Sequence, residues 1–251
     1  MPLVDERKYI AARLLRHDPP RPAPLRMARP QIIAHRGASS HEHENSRAAF
    51  RKARQVGAEA VELDVHATRD GAIVVHHDAA IPGAGRIGDL TLERVQQCQL
   101  PNGESIPLLA EALPLLRGVD VWVEVKGLEE YFDAVLLRTL AEAPEPERYA
   151  VHSFDHRLIR RLGIREPGLR RGVLLCARVV DPIPVLDAAG ASVLWQSAEW
   201  VDRQLVDTLH GAGRRLIAWT ANDDAVIGRL TALGVDGICT DHPERVLALR
   251  S

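Results

Sequence analysis

Aromatic residues are scarce: they make up 4% of the 251 residues, so a core must be built mainly from Val, Leu, Ile and Ala. Lysine is scarcer still. Of 32 basic residues only Lys8, Lys52 and Lys126 are lysine, the rest being arginine. The formal net charge of −2 leaves no basic footprint, which sets DNA and RNA aside as partners. Cys98, Cys176 and Cys239 are odd in number and far apart, which excludes a disulfide framework and a CxxC metal site. No apolar run approaches the ~18 residues that an integral membrane segment needs. The charged start Asp5-Glu6-Arg7-Lys8 lacks the apolar stretch of a signal peptide. Together these absences predict a reduced, cytoplasmic, globular protein.

A hydrophobic fraction of 46% is enough for a substantial core, and the length is close to the about 250 residues of one (β/α)8 domain. Residues 1–29 stand apart: positions 4–17 read as a short helix, and Asp18-Pro19-Pro20-Arg21-Pro22-Ala23-Pro24 as a connector that cannot continue it. From residue 30 to 251, short runs rich in Val, Ile and Leu alternate with helix-period segments, as in parallel strands covered on both faces. The runs are Gln31–His35, Ala60–His66, Val121–Lys126, Tyr149–Phe154, Gly172–Cys176, Ser192–Gln196, Arg215–Thr220 and Gly237–Asp241. Eight βα units without a break in composition predict one α/β domain, a closed (β/α)8 TIM barrel. Asn45 or Ser46 is expected to cap the first helix and Gly57 to stop it, with Asn222 and Gly234 bracketing a later one.

A ninth run, Ala72–His77, follows the second too closely for a parallel crossover and must return antiparallel through Thr68-Arg69-Asp70-Gly71. A turn centred between Arg69 and Asp70 pairs residues whose numbers sum to about 139, setting His77 across from Glu62. Residues 79–120 then form a short insertion, with helices expected over Thr91–Gln99 and Leu108–Arg117.

The chemistry lies on two strands. In the second run Glu62 and Asp64 share the face opposite Val61, Leu63 and Val65, and in the third Glu124 and Lys126 share the face opposite the valines. Buried carboxylates are costly unless compensated, and these three converge at the C-terminal mouth, where barrel enzymes keep their sites. Oxygen ligands predict a hard divalent cation, Mg²⁺ or Ca²⁺; the alternative is a set of buried salt bridges, such as Glu124 with Lys126. Imidazole as a group titrates near neutrality, so His35 and His77 suit a general acid and general base. Arg36 offers a fork matched to phosphate, Lys126 a compact positive charge, and Gly37 room for close backbone approach to a ligand. The remaining histidines, among them His41, His43, His66, His76, His152 and His156, read as rim or solvated residues.

Taken in order, His35-Arg36-Gly37, Glu44-Asn45-Ser46, Val61-Glu62-Leu63-Asp64-Val65, Thr68-Arg69-Asp70-Gly71 and Val74-Val75-His76-His77-Asp78 resemble the glycerophosphodiester phosphodiesterase family. So do Ile106-Pro107-Leu108-Leu109-Ala110-Glu111, Glu124-Val125-Lys126, Ser153-Phe154, Trp219-Thr220-Ala221-Asn222, Gly234-Val235-Asp236-Gly237 and Thr240-Asp241-His242-Pro243. The resemblance runs over about residues 31 to 246. It implies hydrolysis of a small-molecule glycerophosphodiester to glycerol 3-phosphate and an alcohol. By position, Glu62, Asp64 and Glu124 are the implied metal ligands, His35 and His77 the acid–base pair, and Arg36 and Lys126 the phosphate clamp. Phe154 and Trp219 are the implied walls of the substrate pocket, with Glu44 and Asn45 supporting the metal ligands from behind. His43 stands where the family usually has Pro, and Ser46 where it has Thr, which bears on the first loop rather than on the chemistry. Two alternatives are a lysophospholipase D-like phosphodiesterase and a non-catalytic phosphodiester-binding barrel; the second would be expected to have lost one of the paired histidines or acids.

Overall fold

The structure is a computed structural model and describes residues 29–249. The expected helix over 4–17 and its proline-rich connector lie outside the described residues. Eight parallel strands close into a ring: β1 (Gln31–His35), β2 (Ala60–Ala67), then β6 (Asp120–Gly127), β7 (Tyr149–Ser153), β8 (Arg170–Leu175), β9 (Val193–Ser197), β10 (Arg215–Trp219) and β11 (Gly237–Thr240). Closure is made by β1, which pairs with both β11 and β2. The helices following the strands include α1 (Arg47–Gln55), α4 (Asp133–Glu142), α5 (His156–Arg165), α6 (Ile183–Ala189), α7 (Arg203–Gly211), α8 (Asp224–Leu233) and α9 (Pro243–Ala248). The fold is the expected (β/α)8 barrel.

Alternation along the strands divides the core in two. Outward-facing Val61, Leu63, Val65, Val121, Val123 and Val125 pack against helix residues such as Phe50, Leu136 and Leu158. Inside the ring, Ile33, Trp122, Leu174, Trp195, Ile217 and Cys239 fill the barrel. Two of the chain's four tryptophans therefore serve as interior filling. Gly172 makes this possible, because a Cβ there would stand 3.0 Å from the Trp195 ring and 3.3 Å from Cβ of His152.

Short polar side chains cap four of these helices. Ser46 accepts from the backbone N–H of Ala49 at 3.0 Å, so the serine in place of threonine keeps the cap. Asp155, Asp202 and Asp223 cap α5, α7 and α8 in the same way. Asn222, expected to bracket α8, is one residue too early, and its side chain is committed to Asp241 and Thr240 instead. Gly37 also has a different role from the expected one. With φ +84 it lies so close to α1 that a Cβ would be 2.7 Å from Cβ of Ala49, so its close approach is to a helix rather than a ligand.

β3 (Ile73–Val75) pairs antiparallel with β2, as expected, but Val65 opposes Val75 and Ala67 opposes Ile73. The register is one residue from the expected one. The loop holds an extra residue, with Gly71 at φ +87 and Thr68 bonded through its backbone N–H and its hydroxyl to Ala72, so the turn centres on Asp70. The insertion carries a hairpin of β4 (Ala80–Ile81) and β5 (Gly85–Arg86), too short to show in sequence periodicity. It also carries α2 (Leu92–Gln96) and α3 (Leu109–Ala112), both shorter than expected; Pro114 turns the end of the second into a 3-10 turn. Val74, Ile81, Ile87, Val95, Leu100 and Ile106 give this insertion its own small core.

Candidate active site

Register brings the functional residues to one level at the C-terminal mouth. His35 pairs with Glu62, Asp64 with Glu124, and Glu124 with His152, across β1, β2, β6 and β7. The three carboxylates are buried, and their surroundings differ. Asp64 is compensated on every side: Lys126 Nζ at 3.0 Å, Arg36 Nε at 3.2 Å and the Asn45 amide at 2.7 Å. Burial works to raise its pKa, but Lys126, Arg36 and the Asn45 hydrogen bond outweigh it and hold Asp64 ionised. Glu124 has Lys126 Nζ at 2.7 Å. Among the described residues Glu62 has only the backbone N–H of Arg36, at 3.1 Å on Oε2, and its buried Oε1 has no hydrogen-bond partner. Burial, then the neighbouring Asp64 charge, pushes the Glu62 carboxyl up. Glu124 is raised too, first by burial, with Glu62 and Asp64 opposing the pull of His152 and Lys126.

Arg36 sits in the left-handed region at φ 57, which turns its N–H onto Glu62 while its guanidinium is held by both oxygens of Glu44, at 2.8 and 2.9 Å. Asn45 is also left-handed, at φ 55, a conformation asparagine tolerates, and it bonds Asp64 twice, through its amide and to the Asp64 backbone N–H. Glu44 and Asn45 thus brace Arg36 and Asp64 respectively. Phe154 and Trp219 meet edge to face at 5.6 Å.

The two predicted acid–base histidines are anchored differently. Nδ1 of His35 lies 2.6 Å from Oδ1 of Asp241, which also accepts from Ser39 Oγ and, through Oδ2, from the Asn222 amide at 2.6 Å. Burial lowers the His35 pKa, but Asp241 and Glu62 more than reverse it and leave it raised. Asp241 is depressed to about 2 despite burial, because His35, Asn222 and Ser39 all favour its charged form. His77 follows β3 on the rim, its Nδ1 2.8 Å from the exposed carboxylate of Asp78. A cleft of about 560 Å³ lies beside it, shared with His43, Glu44, Ile81, Leu100 and Ile106.

Two site residues escaped the sequence reading. Asp241 is visible there only as part of a motif, since its partner His35 is more than 200 positions away. His152, read as a rim residue, is buried: its ring lies 4.1 Å from that of Trp195 and 5.7 Å from that of Trp122. With one ligand atom each, Glu62, Glu124 and His152 lie within 4.8 Å of one another. Burial pushes the His152 pKa down to about 4 against the pull of Glu124 and Asp64, so the ring is neutral. Its place three residues beyond the start of a strand that aligns with Glu124 was the available signal; the sequence alone does not supply that alignment.

A closed parallel barrel with buried acids, flanking histidines and a guanidinium at its C-terminal mouth defines a barrel enzyme. The sequence profile of the Glycerophosphoryl diester phosphodiesterase family matches residues 35–245. A glycerophosphodiester phosphodiesterase of Caldanaerobacter subterraneus subsp. tengcongensis is 33% identical over 234 residues, covering 87% of this chain and 96% of that protein. Among solved structures, an Oleispira antarctica phosphodiesterase in complex with the product sn-glycerol-3-phosphate superposes with a TM-score of 0.84 at 27% identity, covering 89% of this chain and 98% of that one. A glycerophosphodiester phosphodiesterase from Agrobacterium tumefaciens superposes with a TM-score of 0.76 at 26% identity, covering 87% and 99%. The chain belongs to the glycerophosphoryl diester phosphodiesterase family, and it is an enzyme of that class. No helix among the described residues is long and apolar enough to cross a membrane.

Proposed function

We propose that this enzyme hydrolyses glycerophosphodiesters to glycerol 3-phosphate and an alcohol in a reaction that depends on a divalent cation, with His35 and His77 as its acid–base pair. The observation that carries this reading is the uncompensated carboxylate at the mouth. Glu62 is buried, lacks a partner on Oε1 and stands beside two further carboxylates, which is a fit for a cation held by Glu62, Asp64 and Glu124. Such an ion, Mg²⁺ or Ca²⁺ if its protein ligands are these oxygens alone, would supply Lewis-acid polarisation of the phosphoryl group when bound.

The chain's own residues account for the remaining work. Arg36, steadied by Glu44, and Lys126 present positive charge to the phosphate oxygens and favour the charge that builds up at phosphorus. Asp241 fixes Nδ1 of His35 and leaves Nε2 as the atom that exchanges a proton with the substrate. One histidine takes a proton from the nucleophile, either water or the substrate's own 2-hydroxyl, and the other gives one to the departing alcohol; in the second case water then opens the cyclic phosphate to glycerol 3-phosphate. Phe154 and Trp219 wall the pocket.

A second reading has one observation in its favour. The cleft beside His77 is partly apolar, with Ile81, Pro82, Leu100, Pro101 and Ile106 on its wall, and suits the acyl chain that a lysophospholipid carries on its glycerol. Release of glycerol 3-phosphate from glycerophosphocholine, compared with choline release from its lysolipid counterpart, separates the two. Full activity after chelation and dialysis, or in His77→Ala, would overturn the main proposal.

A further inference from the structure

The buried imidazole of His152 has no task in the chemistry described above, although it stands among the residues that perform it. The side chain is 1% exposed, and neither ring nitrogen has a hydrogen-bond partner among the described residues. Buried polar groups are almost always paired, and an orphaned one is costly. The ring is not free to turn away. Trp195 and Trp122 pack against it, and Gly172 lacks the Cβ that would crowd both Trp195 and His152. What faces it is another incompletely satisfied group of the site: Nε2 of His152 is 3.7 Å from Oε1 of Glu62, which has no hydrogen-bond partner among the described residues and, unlike Asp64 and Glu124, no lysine beside it. Glu124 completes the triangle within 4.8 Å, one residue from each of three adjacent parallel strands.

We propose that His152 is a ligand of the cation at the barrel mouth, so that the site offers a nitrogen alongside its carboxylates and prefers Mn²⁺, Co²⁺ or Zn²⁺ to Mg²⁺ and Ca²⁺. One bound ion answers the orphaned lone pair on the imidazole and the orphaned oxygen on Glu62 together. Side-chain adjustments of about 1 Å bring donors at this spacing to the ~2.1 Å of a metal–nitrogen or metal–oxygen bond. Imidazole suits the later first-row ions, whereas Mg²⁺ and Ca²⁺ take oxygen. Lys126 already neutralises Asp64 and one oxygen of Glu124, which leaves Glu62 and His152 as the pair with most to gain. The competing account makes His152 a hydrogen-bond donor to Glu62 that only positions the carboxylate.

This inference rests on the proposed cation site, and the experiment keeps the two separate by reading the metal in the absence of substrate. The metal-stripped full chain is titrated with Mn²⁺ and examined by pulsed electron paramagnetic resonance for coupling to a directly bound ¹⁴N. Co²⁺ and Ca²⁺ affinities are then measured by calorimetry for wild type and His152→Gln. The expected result is a nitrogen coupling in wild type that disappears in the variant. Removal of a ligand is expected to weaken Co²⁺ binding by roughly tenfold or more while changing Ca²⁺ binding by less than about threefold. Bound Mn²⁺ without nitrogen coupling in wild type would overturn the ligand role of His152 and leave the cation site standing. Failure to bind any of these ions would overturn both. Should the glutamine variant not fold, His35→Gln takes its place: a coupling that persists there is expected, and one that disappears assigns the nitrogen to His35 and overturns the ligand role of His152.

Discussion

The two histidines proposed for proton transfer occupy opposite kinds of structure. His35 ends a strand of the closed ring, its side chain 19% exposed, and its orienting partner Asp241 follows the neighbouring strand β11 and is itself held by Asn222 and Ser39. His77 lies beyond β3, outside the ring, 34% exposed, with an orienting partner that is simply the next residue and largely solvated. One is fixed by tertiary structure and the other by its own loop. A preorganised group keeps its position at every moment, whereas a group on a rim segment can follow the substrate in and out.

The largest effects are expected at the histidines themselves. His35→Ala and His77→Ala should each reduce kcat by about 10²–10⁴-fold, as loss of a general acid or base does, with diester hydrolysis as the measurement. The comparison between them is tested by their partners. Asp241→Asn should lower kcat by about tenfold or more, because it removes both the orientation and the charge that raise the His35 pKa, and the histidine limb of the pH profile should move to lower pH. Asp78→Asn should cost less than about threefold, its ion pair being exposed. Equal losses in the two variants would remove the contrast.

Stability gives a further measure of it. Asp241 has a depressed pKa, so its contribution is present above the ordinary carboxylate value and is lost as pH falls through about 2. His35 has a raised pKa, so its contribution is full below its ordinary value of 6.5 and is lost as pH rises through the folded one. The pair therefore stabilises most between roughly pH 4 and 6.5. Thermal unfolding should show Asp241→Asn losing more Tm at pH 5.5 than at pH 9, with no such pH dependence for Asp78→Asn. The smallest effect is expected at the helix that carries the first loop: Ser46→Ala removes a cap worth about 1 kcal/mol, read by chemical denaturation.

Legibility of the molecule followed the range of each interaction. Strand alternation exposed Glu62, Asp64, Glu124 and Lys126 as one-faced residues, because side-chain direction is a local property. The hairpin was legible as a hairpin, yet its register was off by one because the turn took an extra residue at Gly71. Asn222 looked like a helix cap by position, but the nearer Asp223 took that place and left Asn222 to Asp241. His152 was unreadable as a site residue because its importance comes from facing Glu62 across two strands.

The sequence by itself determined the barrel, the order of its strands and the residues rich in chemistry, since periodicity and spacing are written along the chain. Only the tertiary structure decided how those residues share their charge. It gave Asp64 to Arg36, Lys126 and Asn45, left Glu62 with an oxygen that has no hydrogen-bond partner among the described residues, locked His35 to Asp241, and set His152 beside Glu62. The reason is physical: compensation of a buried charge depends on which atoms lie within a few ångströms, and ring closure brings together groups that the chain holds far apart.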